Sequence, residues 1–196
     1  MDDQLEQFLT VQRAFGERVH AVREDQWQES TPCRDWTVAD LVGHLVEEHQ
    51  WAAPLLHGQD IDTARKIVEG TRSLPVDGGV GANLAEQWDE AAVGSADAFT
   101  ADGALQRTVH LSYGERPVPE YLGQMTVDLL VHSWDLGTAI GFDGSLPEDV
   151  AVRVWGDVEG MRDAFAQSDM FGDPVDVPDD ASALDKLLGL TGRNPH

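Results

Sequence analysis

The sequence predicts an all-α protein, a helical bundle with extra short helices and one small β-hairpin. Three observations carry that expectation. Apolar residues recur at helical spacing in five long segments. Clear helix signals punctuate them, a Thr37-x-x-Asp40 start and a Gly141 stop among them. One short stretch instead alternates apolar and polar residues, at 105–118.

The first helix is expected over about residues 3–22, with Leu5, Phe8, Leu9, Phe15, Val19 and Val22 at helical spacing. Pro32 makes residues 29–36 a connector. The second helix starts at Thr37, runs through DLVGHLVEEHQWAAPLL, and is expected to end or kink at Pro54. A short helix is expected around Thr63–Val68, and residues 74–81 read as loop. A third helix covers about 82–100, with Leu84, Trp88, Ala91, Ala92 and Phe99 inward. The hairpin follows, with its turn expected at Tyr113–Glu115. The fourth helix spans about 119–141 and the fifth about 147–167, opened by Pro147. A loop rich in Asp and Pro then leads into a last short helix, ASALDKLLGL. The chain is expected to form one domain over residues 1–196.

Bulk properties narrow the function. Asp and Glu number 36 against 13 Lys and Arg, a formal net charge of −23. Such a surface repels phosphate backbones and anionic lipids, so neither nucleic acid nor a membrane is the expected partner. Cys33 is the single cysteine, which rules out an intrachain disulfide and fits a reducing cytoplasm. The start MDDQLEQFLT lacks the basic flank and apolar run of a signal peptide.

The fourth helix carries the most informative pattern. Leu122, Leu129, Leu136 and Ile140 cover one side, and Val127, Val131 and Trp134 another. A helix apolar nearly all round is buried. Between these flanks runs a stripe of Tyr121, Asp128, His132 and Asp135. Asp128 and His132 stand one turn apart, and ionisable groups in such a place are costly unless paired or metal-bound. The second helix offers a complement: His44 on an apolar face, with Glu48 one turn later. Two imidazoles and a carboxylate suit zinc, nickel or ferrous iron, and three protein ligands leave a position open. Glu48 and Asp135 are the candidate catalytic residues, each as an additional ligand, a hydrogen-bond partner for an imidazole, or a base acting on bound water. The competing explanation is a metal-free hydrogen bond between Asp128 and His132, with His44 a lone core histidine.

Other chemistry-bearing residues have plainer roles. Cys33 reads as structural, since no Ser/His/Asp or Cys/His motif surrounds it. Trp36, Trp51, Trp88 and Trp155 read as packing residues. His20, His49, His57, His110 and His196 fall outside the inner stripes and read as surface residues.

The stretch from Thr31 to His44, TPCRDWTVADLVGH, together with Asp128 to Asp135, DLLVHSWD, resembles the DinB-like superfamily. The match is closest to its actinobacterial metal-binding branch, related to the N-terminal domain of mycothiol-dependent maleylpyruvate isomerase. The C-terminal LDKLLGLTGRNP resembles that branch as well. The resemblance implies a four-helix-bundle core holding a metal between separate helices, with His44 and His132 matching the family histidines and Asp128 standing where the isomerase has glutamate. It also implies thiol-dependent isomerisation or transfer, with mycothiol or a similar small thiol as cofactor, and a homodimer. The isomerase has a further C-terminal domain that a chain of this length is short to include.

Three functions are therefore carried forward. One is a metal- and thiol-dependent isomerase or S-transferase. Another is a metal-dependent hydrolase using bound water. The third is a non-catalytic metal-binding bundle.

Overall fold

The computed structural model describes residues 2–71, 79–167 and 171–195, the side chains of 79–82 and 164 excepted. The elements are α1 (Asp3–Ala21), α2 (Val38–Leu56), α3 (Ile61–Thr71), α4 (Gly79–Thr100), β1 (Thr108–Leu111), β2 (Gly114–Pro117), α5 (Val118–Ile140), α6 (Glu148–Val158), α7 (Arg162–Ala166) and α8 (Ala183–Leu190). Among the described residues, no helix is long and apolar enough to cross a membrane.

Four helices make the core. α1 packs along α5 and α2 along α4, and contacts of α1 with α4 and of α2 with α5 close the ring. α1 and α2, though consecutive, therefore stand diagonally across the bundle. Phe8 and Phe15 of α1, Leu41 and Leu45 of α2, Trp88 and Phe99 of α4, and Leu122 and Leu129 of α5 are fully buried between them. Burial of each such side chain contributes about 1.5–3 kcal/mol to the bundle. α6 and α8 pack on each other, and α6 leans on α5.

Local chemistry sets the helix ends that matter for the site. The Thr37 Oγ1 accepts the Asp40 amide at 3.2 Å, and Asp40 accepts the Thr37 amide at 3.0 Å. This reciprocal cap fixes where α2 begins, and His44 follows two turns later. Gly141 closes α5 at φ 66°, a left-handed conformation that costs glycine little.

Several boundaries differ from expectation. Pro54 is accommodated inside α2, which continues to Leu56. The short helix after it extends over Ile61–Thr71. Helix α4 begins at Gly79, inside the expected loop, whose residues 74–78 lie outside the described residues. The hairpin forms, but Leu111 pairs with Gly114, so its turn is Ser112–Tyr113. Gly114, with φ 114°, opens the return strand. The expected fifth helix is broken: a tight turn at Glu159–Met161 separates α6 from α7. The backbone leaves regular helix at Val158, with φ −116° and ψ −8°, and again at Met161, with φ −101° and ψ 14°.

Candidate metal centre

α2 and α5 bring the three expected ligands together. The His44 Nε2 lies 3.3 Å from Asp128 Oδ2, and the His132 Nε2 lies 3.4 Å from Asp128 Oδ1. Ligand atoms of the three residues all fall within 4.8 Å of one another, the one such group among the described residues. Both separations exceed the usual N–H···O range of about 2.7–3.2 Å. They match the edge of a tetrahedron with ligands about 2.0–2.1 Å from its centre, roughly 3.4 Å. Two imidazoles and a carboxylate within this reach form a donor set that could hold a divalent cation. The Asp128 carboxylate reaches both imidazoles.

The free orientation of each ring is restricted. His132 Nδ1 bonds Asp135 Oδ2 at 3.0 Å, which leaves Nε2 to face Asp128. Asp135 is completely buried, and Arg193 donates to both of its oxygens, at 3.2 Å from Nε and 2.7 Å from Nη2. Trp36 lies against both histidines, with ring centroids 4.9 Å from His44 and 5.6 Å from His132. Its position follows from a tight loop in which Thr31 N and Oγ1 both donate to the Trp36 carbonyl at 3.0 Å. Asp35 completes that loop in the left-handed region, at φ 65°.

Charge reinforces the geometry. Burial opposes ionisation of Asp128, but the neighbouring His132 and His44 outweigh it and hold the carboxyl far below the usual carboxylate range. Burial likewise opposes the charged form of His132, yet Asp128 and Asp135 push it up to about 9. Glu48, one turn after His44, is pushed up by burial and then by Asp128, with His44 and His132 pulling the other way. The Tyr121 hydroxyl is buried without a hydrogen-bond partner and is raised by burial and by Glu48. A groove of about 600 Å³ opens beside His44, lined by Trp36, Asp40, Gly43, Glu47 and Gln87 among others.

Sequence reasoning missed three placements, those of His49, Trp36 and Arg193. His49 is a core residue, not a surface one: it is 1 % exposed, stacked on Phe8 and set edge-on to Trp88. Its Nδ1 bonds the Leu45 carbonyl at 2.8 Å. The face turned away from His44 is covered by α1 and α4, which is why it is buried. His20, His57 and His110 are exposed as expected, and His196 lies outside the described residues. Trp36 is more than a packing residue, since it touches both imidazoles. Cys33, as expected, is no activated nucleophile: it is half-buried beside Arg193, Asp135 and Asp128, and burial pushes its thiol up. Arg193 was visible only as part of the C-terminal TGRNP run.

The model of the mycothiol maleylpyruvate isomerase N-terminal domain matches residues 8–137. The chain belongs to that family. The matched span contains His44, Asp128, His132 and Asp135 and ends before Arg193. An uncharacterized protein of Mycobacterium tuberculosis, found in two strains, is 30% identical over 189 residues, 93% of either chain. The crystal structure of the mycothiol-dependent maleylpyruvate isomerase superposes with a TM-score of 0.60, over 79% of this chain and 67% of that one, at 17% identity. A variant of that enzyme with one histidine changed to alanine gives 0.63, over 87% and 73%, also at 17% identity. These two likenesses establish the shared DinB-like fold.

Proposed function

We propose that the chain binds one divalent metal through His44, Asp128 and His132 and uses it in thiol-dependent isomerisation or S-transfer, with mycothiol or a similar small thiol as cosubstrate. The observation that carries this reading is the convergence of the two Nε2 atoms on the Asp128 carboxylate at 3.3 and 3.4 Å. Membership of a family named for a mycothiol enzyme supports the thiol. The donor set favours zinc, with nickel or ferrous iron as alternatives.

A cation bound there supplies Lewis acidity that lowers the pKa of a thiol or water in the open position. The protein's own residues do the rest. Asp135 orients His132 through Nδ1; it does not act as the base, because both of its oxygens are already engaged in a dry environment. Glu48, one turn after His44 on α2, takes the proton of the incoming thiol. The groove beside His44 admits the body of the thiol, with Trp36 as one wall.

The same Glu48 would serve a metal-dependent hydrolase by taking a proton from water, which is the second reading its position favours. A thiol requirement separates the two. In cobalt-substituted protein, added mycothiol should produce sulfur-to-cobalt charge-transfer absorption, absent from the His132→Ala protein. Cobalt binding with no response to mycothiol, bacillithiol or glutathione would remove the thiol reading.

A further inference from the structure

We propose that Arg193, contributed by the segment after α8, is a positioning residue of the metal centre. It fixes the Asp135 carboxylate, which fixes the His132 ring with Nε2 turned toward Asp128 and His44. This inference rests on the metal reading above.

The relay is continuous and dry. Arg193 is 7% exposed and Asp135 is not exposed at all. The guanidinium grips both carboxylate oxygens, and Asp135 Oδ2 also bonds His132 Nδ1 at 3.0 Å. Such a forked, charge-assisted pair sets direction as well as distance. A buried carboxylate next to one imidazole alone would be free to rotate; with both oxygens held by Arg193, it has one orientation.

Arg193 is itself anchored. Its amide donates to the Leu188 carbonyl at 2.8 Å, and its Nη1 donates to the Thr191 carbonyl at 2.7 Å. Gly192, at φ 84°, lies so close to Gly172 that a Cβ would come within 2.7 Å of its backbone. The guanidinium also lies beside Cys33 and faces the Phe171 ring, 5.8 Å from its centroid. One side chain therefore ties the Thr31–Trp36 loop, α5 and the C-terminal segment together behind the ligands. Metal affinity is coupled to docking of a segment 58 residues beyond Asp135.

Two variants and two readouts test this. Arg193→Lys keeps the charge but loses the fork. The double variant Asp135→Asn/Arg193→Gln removes both charges, so it stays informative if the lysine variant does not fold. The low-field His132 Hδ1 resonance, followed by NMR in metal-free protein with labelled histidine, reports the tether without metal. Zinc affinity, measured by competition with a chromophoric chelator, reports its consequence. In the folded variants the resonance should be lost to solvent exchange and zinc affinity should fall about 10- to 100-fold, with helicity by circular dichroism unchanged. An unchanged resonance together with unchanged zinc affinity in the folded double variant would overturn the proposal. If the wild-type protein takes up no metal, the metal reading fails by itself. The resonance then decides the tether alone: its loss in the variants supports the proposal, and its persistence overturns it.

Discussion

Replacing Asp135 by asparagine should destabilise the protein far more than its size change suggests. The side chain has no exposure and receives three bonds: 3.0 Å from His132, and 3.2 and 2.7 Å from Arg193. Asparagine keeps the volume but leaves the Arg193 charge buried without a counter-ion. Breaking a buried pair in this way costs about 3–5 kcal/mol. For a domain of this size, each kcal/mol lowers Tm by roughly 2–4 °C, so calorimetry should show a drop of about 6–20 °C. The exposed Arg162–Asp176 pair provides a control at a similar distance, 2.8 Å. Solvent screens it, so Asp176→Asn should change stability by less than about 1 kcal/mol. Equal, small shifts in both variants would refute the reasoning, because burial would then not be what gives the Asp135 pair its weight.

Further expectations follow from titration and backbone geometry. The metal-free protein holds His132 charged up to about 9, so a metal must displace its proton. Apparent zinc affinity should therefore rise about tenfold per pH unit below that value, with proton release visible by calorimetry in buffers of different ionisation heat. A pH-independent affinity would contradict the assignment of His132 as ligand. Burial drives His49 from 6.5 down to about 4, so acid favours the unfolded chain, which takes up the proton that the folded protein refuses. Stability present above about pH 6.5 should be lost toward pH 4 at up to roughly 1.4 kcal/mol per unit from this group. Urea titrations of His49→Leu should show a shallower acid decline, and parallel curves would exclude His49 as the cause. Gly141→Ala, where a Cβ meets nothing within 4 Å, should cost only the left-handed penalty of about 1–2 kcal/mol. Gly192→Ala adds a backbone collision with Gly172; it should cost more in chemical denaturation and also weaken zinc binding, while Gly141→Ala should leave zinc binding intact.

The bundle was legible because its helices bury faces that repeat every 3.6 residues, and periodicity survives whatever the partner helix is. The three clustered residues were legible for a related reason: Asp128 and His132 sit one turn apart between apolar flanks, and His44 stands on an apolar face. What stayed hidden depends on contacts distant in sequence. Nothing near Arg193 shows that it pairs with Asp135, because that bond joins two segments across the fold. The burial of His49 depends on Phe8 of α1 and Trp88 of α4 covering a second face of α2. The role of Trp36 depends on a left-handed Asp35, which local spacing does not reveal. The break at Glu159–Met161 was missed because the apolar pattern carries on across it, while the change of backbone angles at Val158 and Met161 leaves no mark in local spacing.

The account turns on metal occupancy at His44, Asp128 and His132, and elemental analysis of protein purified without a histidine tag or chelator measures it most directly. About one zinc, nickel or iron per chain is expected, lost in the His132→Ala protein while circular dichroism shows the helices intact. No bound metal, and none taken up when zinc, nickel or ferrous iron is supplied, would contradict it and leave the Asp128 cluster a buried polar network without catalytic purpose.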